Sequence, residues 1–244
     1  MTAPRVIAAV QVRMGSTRLP GKVMADLGGR PTVGVIVERL RHARRLADVV
    51  IATSDEPRDA AVRDFAVSEG VPCFAGSEAD LIDRLYGTAR HFAADALVRI
   101  TGDCPLVDPR LVDEVVTAYA AAGPGVDYAS NVLPRTYPIG LDIEVYPLPT
   151  LERLWKTLDD PHWREWFPSW LWDHRDQFHI VGVIYPRDLS KLRWTVDYPE
   201  DLQFVRAVYQ RLYREGEVFG MEDILELLDV APELAAINAQ YADA

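Results

Sequence analysis

Through the first half of the chain, short apolar runs alternate with segments whose apolar residues recur every three or four positions. The runs at 6–10, 49–53, 71–74 and 96–100 are short and end in turn or charged residues, as buried strands do. Between them, 32–46, 59–69 and 81–93 carry helical spacing. Pro31 suits the first turn of the helix that follows Gly28-Gly29. A fourth helix is predicted over 109–122, behind Asp108, a residue type that caps helix starts well. Repeated strand–helix–strand order predicts an α/β fold with a mostly parallel central sheet covered by helices on both faces.

The alternation loosens after Gly123-Pro124-Gly125. Strands are predicted at 140–146, 179–185 and 193–196, and helices at 151–158, 161–173, 200–214 and 221–228. The tail beyond Pro232 either docks or frays. The helix at 161–173 holds Trp163, Trp166, Trp170 and Trp172, for which two roles stay open: packing in a core or subunit interface, and walling an acceptor site. No internal repeat or low-complexity linker interrupts the chain. It therefore reads as a single domain over 1–244, with 126–192 as a distinct subregion.

Composition narrows the class. A chain of 244 residues that is 49% hydrophobic can bury a substantial core. No apolar run approaches the roughly 20 residues that span a bilayer, and Met1–Arg5 shows no signal-peptide pattern. Two cysteines, Cys73 and Cys104, make no disulfide framework and point to a reducing, cytoplasmic setting. A net charge of −11 argues against nucleic acid as partner, since such binding needs a basic face.

Against that acidity, one loop is basic. The first strand empties into Gln11-Val12-Arg13-Met14-Gly15-Ser16-Thr17-Arg18-Leu19-Pro20-Gly21-Lys22, with three cations and no acid before Asp26. Gly15 and Gly21 allow close approach of the main chain to a ligand. Backbone N–H groups with Arg and Lys side chains make a cradle for a polyphosphate, at the sheet edge where such folds bind ligands. The spacing is neither a Walker pattern nor Gly-x-Gly-x-x-Gly. A second strand end, Arg99-Ile100-Thr101-Gly102-Asp103-Cys104-Pro105, places Asp103 at the same edge as a candidate Mg²⁺ ligand. Asp197, in Thr195-Val196-Asp197-Tyr198-Pro199, caps a helix or supplies a second carboxylate, with both readings open. Cys104 reads as a small buried neighbour, and the five histidines show no metal-ligand spacing.

Residues 11–22 with Asp26-Leu27-Gly28-Gly29-Arg30-Pro31 resemble the opening of the cytidylyltransferase family that includes the spore-coat polysaccharide protein SpsF. The resemblance continues through 98–109, 131–136, Gly140-Leu141-Asp142-Ile143-Glu144-Val145 and 192–201. It implies a Rossmann-like, GT-A-like nucleotidyltransferase fold, a homodimer, and the use of CTP and Mg²⁺ to activate an acidic small-molecule acceptor. Carried over by position, Arg13 and Lys22 would hold the triphosphate with help from Arg18. Gln11, Gly15, Ser16 and Thr101 would line the nucleotide pocket, and Asp103 and Asp197 would hold the metal. Arg135, Asp142 and Glu144 would face the acceptor; an alternating strand with outward acids is the simpler reading of the last two. The 126–192 subregion would bind the acceptor or form the dimer contact. Two departures stand out: Arg164-Glu165-Trp166-Phe167-Pro168-Ser169-Trp170 replaces Arg-Glu-His-Val-Thr-Pro-Tyr, and Tyr198 replaces a Thr. A guanylyl- or uridylyltransferase, or a nucleotide-binding module without activity, would share the cradle. A glycosyltransferase is disfavoured because Gly102-Asp103-Cys104 lacks a second Asp.

Overall fold

The computed structural model describes residues 4–241; the N-terminal reading at residues 1–3 and the last three residues of the tail lie outside them. Strands β1 (Val6–Gln11), β2 (Asp48–Ser54), β3 (Cys73–Gly76), β4 (Ala96–Thr101), β5 (Tyr128–Ser130), β6 (Glu144–Pro147) and β7 (Ile180–Gly182) form one sheet in the order β3-β2-β1-β4-β6-β5-β7. Only β6 runs antiparallel to its neighbours, β4 and β5, so the sheet is mostly parallel. The two-residue period of β1 explains the layers. Val6, Ala8 and Val10 enter one core, and Ile7 and Ala9 enter the other. The first core is closed by α1 (Thr32–Leu40), α2 (Ala60–Ser68), α4 (Pro109–Ala122), α8 (Pro199–Leu212) and α9 (Met221–Val230). The second is closed by α3 (Leu81–His91), α5 (Leu148–Thr157) and α7 (Phe167–Asp173).

Five predicted elements differ: the strand predicted at 179–185 is reduced to the three residues of β7, and four others change locally. Helix α1 stops at Leu40 rather than 46, because the Asp113 carboxylate accepts the N–H groups of Arg44 (3.0 Å) and Arg45 (2.8 Å). The strand predicted at 140–146 begins only at Glu144. Upstream, the Asn131 amide donates to the Leu141 carbonyl (2.7 Å) and accepts from Ile143 N–H (2.9 Å), taking the place of ladder hydrogen bonds. Gly140 there has φ +102°, and a Cβ would lie 2.5 Å from Thr195 N, so this close crossing requires glycine. The strand predicted at 193–196 is outside the sheet and makes one bridge, Arg193 to Ile139. Finally, 161–173 is two helices, α6 (Pro161–Glu165) and α7, since Pro168 has no N–H to continue the first. The three-residue β5 had no predicted counterpart.

Asp108 caps α4 as expected, accepting from Arg110 N–H at 2.8 Å. The tail docks: Leu234 is buried, Asn238 donates to Asp201 (2.8 Å), and the Tyr241 ring stacks on Tyr198. Among the described residues no helix is long and apolar enough to cross a membrane.

Candidate active site

The carboxyl ends of β1 and β4 open into a cleft with two joined lobes, of about 420 and 300 Å³. Gln11, Arg13, Arg99, Thr101 and Trp166 line both. The first lobe is built from the basic loop: Gly15, Ser16, Arg18 and Lys22 border it, with Asp103 and Asp197 opposite. Gly21 takes the left-handed conformation (φ 72°), whereas Gly15 does not. At Gly15 a Cβ would come 3.3 Å from the guanidinium of Arg58, an exposed side chain with room to give way.

Lys22 organises this lobe. Its Nζ donates to Asp103 Oδ2 and to Asp197 Oδ1, each at 2.8 Å, so residues 81 and 175 positions away in the chain converge on one atom. Burial pushes the Lys22 ammonium toward lower pKa, but the two aspartates overcome it and hold the group above 10.5. Burial likewise pushes Asp103 up, and the Lys22 charge reverses this and holds it below 3.8. Arg18 also reaches Asp197 (2.9 Å) and lies over the Tyr198 ring. Asp197 does not cap α8. The cap is Tyr198, and Asp201 accepts the N–H groups of both Asp197 (2.9 Å) and Tyr198 (3.0 Å). Arg193, paired with Asp201 and Asp197, fixes the latter from behind. Thr101 turns its hydroxyl to the Cys104 sulfur (3.0 Å), and burial pushes the Cys104 thiol well above its usual value, which leaves it inert.

The second lobe lies toward α3, α6 and α7. Asp142 borders it, and Arg135 stands behind Asp142 in a two-pronged ion pair (2.6 and 2.8 Å) without lining the lobe itself. Glu144 also faces it but is 2% exposed, which overturns the outward-facing reading. Its oxygens are engaged by Arg99, by Tyr128 Oη (2.9 Å) and by Tyr146 Oη (2.6 Å). Arg13 pairs with Glu165 (3.1 Å). In the tryptophan segment, Trp163 and Trp170 pack on the second core, one of the two expected roles, Trp172 packs there and lines the lobe, and Trp166, 53% exposed, faces the cleft.

The sequence assigned no role to Arg84, Arg99 and Glu165, which line the second lobe. The available signal for Arg99 was a lone cation inside an apolar strand, where it is now held by Gln11 Oε1 (2.7 Å) and Glu144. Arg84 is buried and makes no ion pair among the described residues; burial first, then the nearby Arg13 charge, push it down to about 10. A separate cavity of about 350 Å³ between Asp26–Arg30 and α8 shares no lining residue with this cleft.

A mostly parallel α/β sheet with a basic loop and two converging carboxylates at its carboxyl edge defines a nucleotidyltransferase-type protein. The chain belongs to the cytidylyltransferase family, whose pattern it matches over residues 7–154. It is 29% identical over 239 residues to the spore coat polysaccharide biosynthesis protein SpsF of Bacillus subtilis, covering 94% of this chain and 96% of that one. With the 3-deoxy-manno-octulosonate cytidylyltransferase of Geobacter sulfurreducens it shares 32% identity over 175 residues, 64% of this chain and 68% of the other. The solved structure of a cytidylyltransferase from Leptospira borgpetersenii superposes with a TM-score of 0.91 at 31% identity, over 96% of this chain and 97% of that one.

Proposed function

We propose that the protein transfers CMP from CTP to an acidic small-molecule acceptor, a sugar acid, phosphate or phosphonate, and releases pyrophosphate. The observation that carries this reading is the convergence of Asp103 and Asp197 on Lys22, at the rim of the basic loop, in a chain of the cytidylyltransferase family. An acid acceptor accords with the named substrate of the Geobacter sulfurreducens relative.

The donor set fits Mg²⁺, which is commonly held by one or two carboxylates plus phosphate oxygens and water. Among the described residues no cluster of three or more Asp, Glu, His or Cys could hold a metal, so a metal on Asp103 and Asp197 would need the nucleotide's own oxygens. When bound there, Mg²⁺ would supply charge neutralisation on the phosphates.

The chain's own residues do the remaining work. Arg13, Arg18 and Lys22, each now paired with an acid, exchange those partners for triphosphate oxygens. Gln11, Gly15, Ser16 and Thr101 border the nucleotide. An acceptor oxygen attacks the α-phosphorus, the bond to the pyrophosphate oxygen breaks, and the departing charge is stabilised by Arg13 and Lys22. An acceptor oxygen that is already ionised needs no general base. The acceptor occupies the second lobe, with Asp142 presented by Arg135 and Arg99 presented by Glu144.

Pyrophosphate release from CTP and Mg²⁺, screened against sugar acids, phosphates and phosphonates, tests the reading. At least one class should support turnover in the parent, and Asp103→Asn should lose most of it while remaining folded. Near-parental turnover by that variant would refute the assignment of Asp103.

A further inference from the structure

The turn between β2 and α2 carries a wholly buried carboxylate, Asp59, that makes no ion pair among the described residues. Its Oδ1 accepts the Met14 N–H at 2.6 Å, and its Oδ2 accepts the Ser54 hydroxyl. The turn itself is braced. Arg63 donates to the Ser54 carbonyl (2.7 Å) and the Glu56 carbonyl (3.0 Å), and the Ser54 hydroxyl accepts Glu56 N–H (3.3 Å).

Met14 is in turn the hub of the basic loop. Its carbonyl accepts the N–H of Ser16 (2.9 Å) and that of Gly21 (3.4 Å), so one peptide closes the loop across its width. Arg13 precedes this residue and Gly15 follows it. Burying a carboxylate with no cation in direct contact costs free energy that hydrogen bonds and the more distant Arg84 and Arg58 charges only offset, and an apolar residue would serve packing alone as well. What the carboxylate adds is direction: by holding the Met14 N–H it fixes the Arg13–Met14 peptide, and hence where Arg13 ends and from where the Met14 carbonyl reaches the loop's N–H groups.

We propose that Asp59 is a positioning residue for the nucleotide phosphates, acting through the Met14 peptide without touching the nucleotide. This rests on the reading that the basic loop receives CTP, with Arg13 and Lys22 toward the pyrophosphate end that CMP lacks.

The test is calorimetric titration of the parent, Asp59→Ala, Asp59→Asn and Ser54→Ala with CTP and separately with CMP, at a temperature where each is folded. Loss of one charge-assisted hydrogen bond should weaken CTP binding by Asp59→Ala about tenfold or more, and CMP binding by much less. Asp59→Asn keeps an oxygen for Met14 N–H and should stay within about threefold of the parent. If Asp59→Ala does not fold, Ser54→Ala replaces it, with an expected loss of about threefold for CTP. Parental CTP affinity in the folded variants overturns the proposal, and so does an equal loss for CTP and CMP, which would mean general loosening. A parent that binds no CTP overturns the proposed function first; a parent that binds it while the variants match it overturns only the role of Asp59.

Discussion

Replacing Lys22 with Met removes the cation shared by Asp103 and Asp197. Their facing oxygens are then at most about 5.6 Å apart, twice the 2.8 Å that each lies from Nζ. At an effective dielectric constant of ~20, their repulsion is about 3 kcal/mol. Arg18 and Arg193, each 2.9 Å from Asp197, offset part of this. The expected net loss of unfolding free energy near neutral pH is about 1–3 kcal/mol. In the parent, Asp103 is held below 3.8, so its contribution is present above that value and is lost as pH falls through the lower folded value. Lys22 is held above 10.5, so its contribution is present below that value and is lost as pH rises through the higher folded one. In the variant the sign reverses for Asp103. With the Lys22 charge gone, burial lifts its folded pKa above the unfolded one, so the penalty is full at neutral pH and fades as pH falls. Urea unfolding of both proteins at about pH 7.5 and about pH 5 reads this directly, and the gap should narrow clearly at the lower pH. A gap of equal size at both pH values would refute the electrostatic account and leave lost packing as the cause.

Arg99→Met leaves the buried Glu144 with two tyrosine hydroxyls and no cation, and should cost about 3–5 kcal/mol by denaturant unfolding. The double variant with Glu144→Gln should recover part of that loss; no recovery would mean that Arg99 stabilises by packing alone. Trp166→Ala, at a half-exposed position, should change stability by less than about 1 kcal/mol. The same change should raise the KM of CTP or of the acceptor about threefold or more, as measured by pyrophosphate release. Unchanged values for both would remove Trp166 from the site.

The alternating patterns of the first half were legible because each element there is specified by its own periodicity. Val6 to Gln11 and Ala96 to Thr101 are buried strands in sequence and in structure, and the basic loop and Asp103 follow directly from where they end. Asp197 was visible as a carboxylate, but its role depends on Asp201, Arg193 and Lys22, contacts that no local pattern encodes. The late start of β6 was hidden for a related reason, since Asn131 supplies its preceding hydrogen bonds from twelve residues before Ile143. The break at Pro168 was written in the sequence, yet the dense tryptophans favoured one continuous helix. Nothing in Asp55-Glu56-Pro57-Arg58-Asp59 distinguishes the acid that turns inward from those that stay in solvent.

Asn238 and Tyr241 set the order in which a newly made chain can acquire its site. The loop and Asp103 are synthesised early, in the part of the chain that matches the family pattern, but Asp197 lies beyond residue 154. Its backbone rests on Asp201, which Asn238 holds together with the Arg193 carbonyl, while Tyr241 stacks on the neighbouring Tyr198. A nascent chain on the ribosome can thus form its sheet and loop well before the second carboxylate is anchored. The convergence of both acids on Lys22 is completed late in biosynthesis, so chains interrupted short of Asn238 would carry a basic loop without its finished counterpart.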